Sequence, residues 1–353
     1  MDAMLITGAV QKQAWMDRTM PPVEHVRGDI WSIPVDFSQA PVRYTFAYLV
    51  MNGAGQSLLI DPGFDSARGR SQIAIGLERA GMTIESIVGI VSTHLHPDHL
   101  GMAEHIAGQS GAWIGMHPRE SALLALYDDE ASVTEVDQRW LEEIGVPPER
   151  MGELLTPPAT IRYMQGLART TLPLEDGDFL PLPGRSLRVV ATPGHTPGHV
   201  CIVDEDNEIV FSGDHILPRI TSNVGLTSTG TRRGALAQYY SSLDRMKQWP
   251  DFEVLPAHEY RFSGLAHRAD DLARHHRERA QEIVNAVGSS EGYSVYSIAQ
   301  RISWSRSWES LHDVNLRAAL SETEAHVDFL IDAGKLEIGG GEVMRLVRRH
   351  AAV

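Results

Sequence analysis

Four residues of types that commonly bind metal ions lie within six positions of this sequence, in the run His94-Leu95-His96-Pro97-Asp98-His99. The apolar pattern from Ile84 to Ser92 predicts a strand just before this run, so the loop that follows has a rigid base. Imidazole and carboxylate together suit zinc, and also iron or manganese. Because the chain has a single cysteine, a thiolate-rich structural zinc site is excluded. The run therefore predicts a metal centre of the catalytic type.

Three further candidate ligands each follow a predicted strand, as the run itself does. They are His195 in Thr-Pro-Gly-His-Thr-Pro-Gly-His, Asp214 in Phe-Ser-Gly-Asp, and His258 after Val-Leu-Pro. Since the ends of neighbouring strands can meet at one edge of a sheet, we expect all of these side chains to converge.

These motifs together resemble the metallo-β-lactamase fold superfamily of hydrolases, in particular glyoxalase II (hydroxyacylglutathione hydrolase). The resemblance covers about residues 27 to 265. It implies two divalent metal ions, most simply Zn²⁺, with Fe or Mn as alternatives. The resemblance assigns the ligands as His94, His96 and His195 for one ion, Asp98, His99 and His258 for the second, and Asp214 as the bridge. Asp61 matches an aspartate that supports these ligands without binding metal, although a turn residue bonding its own backbone explains Asp61 equally well. His199 matches a supporting residue rather than a ligand.

The expected chemistry is hydrolysis by a hydroxide that bridges the two metal ions. Two cations about 3.5 Å apart lower the pKa of a shared water and polarise a carbonyl or phosphoryl oxygen. Asp98 is the expected catalytic residue, because its carboxylate can accept a hydrogen bond from the hydroxide and orient it. Cys201 lies in the apolar run His-Val-Cys-Ile-Val, which indicates a core residue rather than a nucleophile.

The substrate class stays open at this point, because members of the superfamily cleave thioesters, lactones, β-lactams, phosphodiesters and RNA. We expect a small acyl substrate, namely a thioester, ester or lactone. The alternatives are a phosphodiesterase or ribonuclease of the same fold, and a non-catalytic winged-helix regulatory or binding module. Candidate substrate-binding residues are Arg219, Asn223 and Tyr260, for which a surface or packing role is the alternative.

Two departures from the superfamily pattern bear on these expectations. The residue before the last histidine is Ala257, where the superfamily usually has glycine. An insertion at residues 119–170, with a helical pattern broken at Pro147-Pro148 and Pro157-Pro158, has no counterpart in the minimal fold.

The order of the predicted strands and helices that position these residues indicates an α+β fold, namely a four-layer αββα sandwich. Residues 1–26 are expected to form an irregular N-terminal lead-in, and residues 27–265 the hydrolase domain that contains the insertion. Predicted strands are Asp29–Pro34, Arg43–Met51, Ser57–Ile60, Ser186–Thr192, His199–Asp204, Glu208–Ser212 and Glu253–Pro256, with helices at Ser71–Ala80 and Gly234–Gln248.

Residues 266–353 are predicted to form a winged-helix domain that resembles the appendage of one branch of these hydrolases. A long helix, Arg268–Ala286, is followed by a break at Gly288–Gly292, two more helical patterns, and a glycine-tipped hairpin from Lys335 to Val347. This region has 11 Lys plus Arg and 13 Asp plus Glu, a net charge of −2, and its helix Ser321–Ala333 has four acidic residues and no Lys or Arg. We therefore expect packing or homodimerisation rather than DNA or RNA binding.

The whole chain has 353 residues and a formal net charge of −15, which disfavours binding to polyanions and to anionic membrane surfaces. No apolar stretch approaches the roughly 18 residues that a membrane-spanning helix needs. With one cysteine and no export signal at the N-terminus, we expect a cytoplasmic globular enzyme whose partner is a small-molecule substrate.

Overall fold

The computed structural model describes residues 4–37, 42–225, 233–288, 292–339 and 345–348. In these residues the strands are β1 Leu5–Ile6, β2 Glu24–Arg27, β3 Ile30–Phe37, β4 Arg43–Met51, β5 Ser57–Ile60, β6 Ile87–Val91, β7 Trp113–Met116, β8 Leu172–Pro173, β9 Leu187–Ala191, β10 Val200–Asp204, β11 Ile209–Gly213, β12 Glu253–Pro256, β13 Phe262–Ser263, β14 Leu336–Gly339 and β15 Arg345–Arg348. The α-helices are α1 Ala9–Met16, α2 Ala67–Arg79, α3 Pro97–Leu100, α4 Ala103–Ser110, α5 Pro118–Ala125, α6 Glu130–Glu143, α7 Pro148–Leu154, α8 Pro158–Gln165, α9 Ala235–Met246, α10 Leu265–Ala286, α11 Val295–Ala299 and α12 Asp313–Asp332.

Two sheets form the centre of the fold, one in the order β2-β3-β4-β5-β6-β7-β8 and one in the order β1-β13-β12-β11-β10-β9. The alternation of side chains along β4 shows how they pack. Tyr44, Phe46, Tyr48 and Val50 lie in a core shared with the second sheet, and the rings of Tyr48 and Phe211 are 5.3 Å apart. The intervening residues of β4 face the helices on the other side of the first sheet.

Helices cover the outer face of each sheet. Ile73 of α2 and Ile106 of α4 pack on the first sheet, while Leu243 of α9 and Leu272 of α10 pack on the second. The predicted four-layer αββα sandwich is therefore confirmed. The predicted bounds of β4, β5 and β12 are those observed, whereas the strand predicted from Ile84 begins at Ile87, after a 3-10 turn at Ile84–Ser86.

The N-terminal segment is more regular than the sequence indicates. The prediction of an irregular lead-in is wrong for residues 9–16, which form α1, and β1 pairs with β13. Gln11 is fully buried, donates to Ser32 Oγ at 3.0 Å and accepts from the Arg261 backbone N–H at 3.0 Å. These partners, distant in sequence, stabilise a helix that shows no clear apolar period.

The insertion consists of α5 to α8, and Pro148 and Pro158 occupy the first turns of α7 and α8, where proline is tolerated. Its residues Trp140 and Leu141 share one apolar core with Ile283 and Leu320 of the C-terminal region. The Trp140 Nε1–H also donates to Glu324 Oε2 at 2.8 Å. The insertion is thus packed against α10 and α12 rather than projecting into solvent.

In the C-terminal region, α10, α11 and α12 precede an antiparallel hairpin of β14 and β15. Parts of the predicted break and of the predicted hairpin, residues 289–291 and 340–344, lie outside the described residues. The predicted acidic helix forms the last part of α12, where Val327 and Leu330 are buried in the core shared with the insertion. The winged-helix assignment, the domain boundary at 266, the homodimer and the absence of DNA binding stay predictions.

Among the described residues, no helix is both long and apolar enough to cross a membrane.

A chain that ends at Gly264 should be strongly destabilised. This truncation removes α10 from the outer face of the second sheet and exposes the apolar side of α6 to water. We expect the melting temperature, measured by circular dichroism, to fall by at least about 10 °C. A chain ending at Gly334, which lacks only the hairpin, should lose less. A melting temperature equal to that of the full chain would contradict the shared core.

Candidate metal centre

The loops at one edge of the two sheets bring the predicted ligands together. The motif run follows β6, and His96 precedes the short helix α3 so that Asp98 and His99 lie in its single turn. Asp214 follows Gly213, which has a φ of +48° and packs so closely that a Cβ would lie 2.7 Å from His199 Nε2 and from Thr93 Oγ1. Glycine is therefore required at position 213 by both conformation and space.

Three of the histidines form the first ligand set. His96 Nδ1 lies 2.8 Å from His94 Nε2 and 3.2 Å from His195 Nε2. The ligand atoms of the three residues lie within 4.8 Å of one another. This arrangement can hold one metal ion through three neutral imidazoles.

Asp98, His99 and His258 form the second ligand set, also within 4.8 Å of one another. Asp98 Oδ2 lies 3.5 Å from His99 Nε2 and 3.4 Å from His258 Nε2. Asp214 stands between the sets, because its Oδ2 is 3.7 Å from His195 Nε2 and its Oδ1 is 3.2 Å from His258 Nε2. The structure thus brings all seven predicted ligands into one cluster with two adjacent halves.

Buried atoms without hydrogen-bond partners show that a cation fits this cluster. His99 Nε2 and Asp214 Oδ1 are both inaccessible to water, and neither forms a well-aligned hydrogen bond among the described residues; their contacts are ion pairs, 3.5 Å from His99 Nε2 to Asp98 Oδ2 and 3.2 Å from Asp214 Oδ1 to His258 Nε2. Buried polar atoms are rarely left in this state. A set of imidazoles and carboxylates with unfilled ligand atoms has the chemistry that zinc, iron or manganese requires.

Hydrogen bonds to the far nitrogens orient the ligand rings. His195 Nδ1 donates to the carbonyl of Asn223 at 2.7 Å, and His258 Nδ1 donates to the carbonyl of Tyr44 at 2.9 Å. Each bond fixes the tautomer that leaves Nε2 free for a metal ion. His199 is not in either ligand set, and its Nε2 accepts from the backbone N–H of Asp214 at 3.2 Å.

Asp61 lies behind the second set. Its Oδ2 is 3.0 Å from His99 Nδ1, and its carboxylate accepts from the N–H and the hydroxyl of Thr93 at 2.8 and 2.9 Å. Asp61 has a φ of +51°, a turn conformation. This turn directs its carboxylate towards the loop that contains Thr93 and His99. Ala257 is buried without a positive φ, which explains why alanine is compatible with this position.

The two sets differ in their preferred protonation states. Burial, with the neighbouring histidines, lowers the pKa of His96 to about 3 and also lowers those of His94 and His195. Burial acts in the same direction on His99, but Asp61, Asp98 and Asp214 outweigh it and raise the pKa of His99 to about 9. The first set is therefore neutral at pH 7, whereas protons occupy the second set when no metal is bound.

A buried carboxylate that sequence reasoning missed connects the ligand loops. Glu120, in the first turn of α5, accepts from the backbone N–H of Leu95 at 2.9 Å and from that of Gly198 at 2.6 Å. Burial raises the pKa of Glu120 to about 7. Glu120 lies 21 residues after His99 in a helical pattern, so neither motif nor spacing marks it.

The candidate substrate-binding residues lie in different settings. Arg219 is exposed, and its guanidinium lies 4.5 Å from the ring centre of Trp15. The ring of Tyr260 packs edge-on against the same Trp15 ring, with the two ring centres 6.3 Å apart. The side-chain amide of Asn223 points to α12, where it donates to the Ala318 carbonyl at 2.9 Å. Burial raises the pKa of the Cys201 thiol to about 12, consistent with a core residue.

A cavity of about 400 Å³ opens beside the first ligand set. Leu95, His96 and Pro97 form its wall at the metal cluster, the insertion contributes most of the remaining lining, and α12 contributes three residues. Its volume is in the range of small-molecule sites.

Comparison with known proteins agrees with this fold and site. The sequence profile of the Metallo-beta-lactamase superfamily matches residues 40–258. Acyl-coenzyme A thioesterase MBLAC2 of Gallus gallus is 28% identical over 224 residues, which are 62% of this chain and 73% of that protein. Hydroxyacylglutathione hydrolase of Aliivibrio fischeri (strain MJ11) is 39% identical over 100 residues, 27% of this chain and 35% of that protein.

The crystal structure of a metallo-beta-lactamase family protein from Thermus thermophilus superimposes with a TM-score of 0.77 and 26% identity, covering 92% of this chain and 100% of that one. The similarity therefore extends beyond the sandwich into the C-terminal region. Because the family profile matches more than half of the sequence and agrees with the ligand motifs, the chain belongs to the metallo-beta-lactamase superfamily and is a hydrolase of that superfamily.

Proposed function

We propose that the protein hydrolyses a small acyl substrate, with a thioester preferred over an ester or lactone, by means of two divalent metal ions. The observation that carries this proposal is the pair of ligand sets around Asp214 with an apolar cavity directly beside His96. The names of two relatives, an acyl-coenzyme A thioesterase and a hydroxyacylglutathione hydrolase, support the same reaction type.

In this proposal His94, His96 and His195 would hold one ion, Asp98, His99 and His258 would hold the other, and Asp214, which lies between the two sets, would be the ligand they share. Zinc is the first choice of metal, with iron or manganese as alternatives. When bound, the ions lower the pKa of a water molecule and polarise the substrate carbonyl. Asp98 orients the attacking water, and the Thr45 hydroxyl, which donates to Asp98 Oδ2 at 3.2 Å, holds this carboxylate in place. Asp61 and Glu120 position the loops.

The cavity favours an acyl substrate over the phosphodiester alternative. Its charged lining includes the carboxylate of Asp313, which repels phosphate, while Glu153 is paired with Arg150 and the cation Arg317 is paired with Asp137. The complete ligand cluster likewise favours an enzyme over a binding module. Arg219 and Tyr260, which both contact the half-buried Trp15, remain proposed contacts for an anionic part of the substrate, whereas Asn223 acts through its carbonyl on His195.

A substrate screen tests the reaction type. The metal-loaded protein should hydrolyse acyl thioesters with a kcat/KM at least about tenfold above those for lactones, phosphodiesters and RNA. The physical reason is the apolar, acidic-rimmed cavity beside His96, which binds an acyl group and repels phosphate. Higher activity on a phosphodiester or on RNA would select the alternative function.

Metal content tests the ligand assignment. Elemental analysis of the purified chain loaded with zinc should give two ions per chain. His96→Ala should lose one ion and lower kcat/KM at least about a hundredfold, since it removes a direct ligand. Asp98→Ala should lose the second ion more readily than the first. His267→Ala, at a position of α10 whose side chain is 41% exposed, is the matched control and should keep both ions. One ion per chain at saturation would contradict the dinuclear assignment.

Proton release on metal binding tests the two protonation states. A metal ligand must be a neutral imidazole, so binding at the second set has to displace protons from His99 and His258, whose pKa values are raised. The first set, with lowered pKa values, should bind without release. Calorimetry at pH 7 in two buffers of different ionisation enthalpy should therefore show one ion binding with proton release, and its affinity should increase as the pH rises towards about 9.

Asp61→Asn should reduce this release, because it removes the carboxylate that contributes most to the raised pKa of His99. Asp176→Asn, which changes a partly exposed partner of Arg245, is the control and should leave the release unchanged. Equal proton release from both sets in the unsubstituted protein would show that the assignment of protonation states is wrong.

A further inference from the structure

The cavity beside His96 is built jointly by the insertion and by the C-terminal region. Leu155 follows α7, Met164 lies on α8, and Val314 lies in the first turn of α12. Two hydrogen bonds tie these walls together: the Asp313 N–H donates to Glu153 Oε1 at 3.0 Å, and Arg317 Nη1 donates to the Leu154 carbonyl at 2.7 Å. The cavity therefore has fixed walls from two distant parts of the chain.

The lining changes in exposure from the interior to the opening. Met164 and Leu154 are buried in the interior, Leu155 is half-buried, and Val314 is 60% exposed. An exposed valine at the end of a buried apolar wall indicates an apolar opening that a ligand can cover.

Two of the three charged side chains in the lining, Arg317 and Glu153, already have protein partners, and Asp313 is the third. The Arg317 guanidinium pairs with Asp137 and lies 4.7 Å from the ring centre of Trp140. Glu153 pairs with Arg150 at 2.8 Å. A ligand in this cavity thus meets mainly carbon atoms, and its own apolar surface determines how tightly it binds.

We propose that this cavity binds the straight aliphatic chain of a medium-length acyl substrate, with the carbonyl carbon at His96, and that α12 helps to set the chain length. The inference depends on the proposed function for the hydrolysis of the thioester. The binding of the aliphatic chain depends only on the cavity. A methylene is close to water in size, for which about 30 Å³ is the share of liquid volume, so 400 Å³ accommodates a chain of up to about a dozen carbons. Short hydrophilic acyl groups would leave most of the cavity unfilled.

A chain-length series tests the inference. The metal-loaded full chain is assayed with straight-chain acyl thioesters of coenzyme A from four to sixteen carbons, below their micelle-forming concentrations. We expect kcat/KM to rise by up to about fourfold for each added methylene and to level off near a dozen carbons, because each buried methylene adds similar binding free energy until the cavity is full.

Two variants probe the walls. Leu155→Trp, from the insertion, and Val314→Trp, from the exposed start of α12, both reduce the space for the chain. Each should shift the preferred chain to fewer carbons and lower kcat/KM for the dodecanoyl thioester at least about tenfold relative to the butanoyl thioester. Ile338→Trp, at a residue 53% exposed on the β14 strand and not in the lining, is the matched control and should keep the original profile.

A binding measurement separates this inference from the reaction. 1-Decanol has no carboxylate to bind a metal ion, and calorimetry should show it binding the unsubstituted protein at one site and binding Leu155→Trp at least about tenfold more weakly. Decanol binding without thioester hydrolysis would reject the proposed function and leave the alkyl site standing. Thioester hydrolysis with a flat chain-length profile, unchanged in both variants and without decanol binding, would overturn the inference.

Discussion

Two largely buried carboxylates, those of Asp98 and Asp214, lie 3.4 and 3.2 Å from the same atom, His258 Nε2, at the edge of the sandwich. Charges in this position require positive charge close by, since little water reaches them. The raised pKa values of His99 and His258 keep that charge there as protons when no metal is bound, and in the proposed function metal ions would replace these protons. This constraint determines the surrounding structure. Each imidazole ring has to be oriented with one particular nitrogen towards the cluster, and each loop has to hold its carboxylate at a fixed position.

The convergence of the candidate metal ligands could be predicted because their positions depend on local sequence. Each ligand follows an apolar strand, and strands such as β4, β5 and β12 have patterns clear enough to give their bounds without error. Glycine at 213 marks a conformation that other residues rarely adopt. The edge of a sheet then brings these loops together whatever separates them in the chain, so residues as distant as His96 and His195 could be placed in one site.

Features that depend on distant partners could not be predicted in the same way. The helix α1 has no clear period and is held by contacts with Ser32 and Arg261. The shared core of insertion and C-terminal region, from which the cavity arises, joins two segments that are each amphipathic alone. The sequence of neither segment specifies which apolar surface it packs against. The position of α12 beside His96 is therefore determined only by the tertiary packing of the whole chain.

The place of Glu120 has a consequence for how the insertion can be exchanged. Helix α5 belongs to the insertion by sequence, yet Glu120 is the common acceptor of the loops that contain His96 and His195. A chimera that takes a relative's insertion from residue 119 onward would replace this acceptor together with the cavity wall. A chimera joined after Ala125 would keep it. The metal loops and the cavity can therefore evolve separately only on the C-terminal side of α5, where a recombination point would leave the ligand geometry intact.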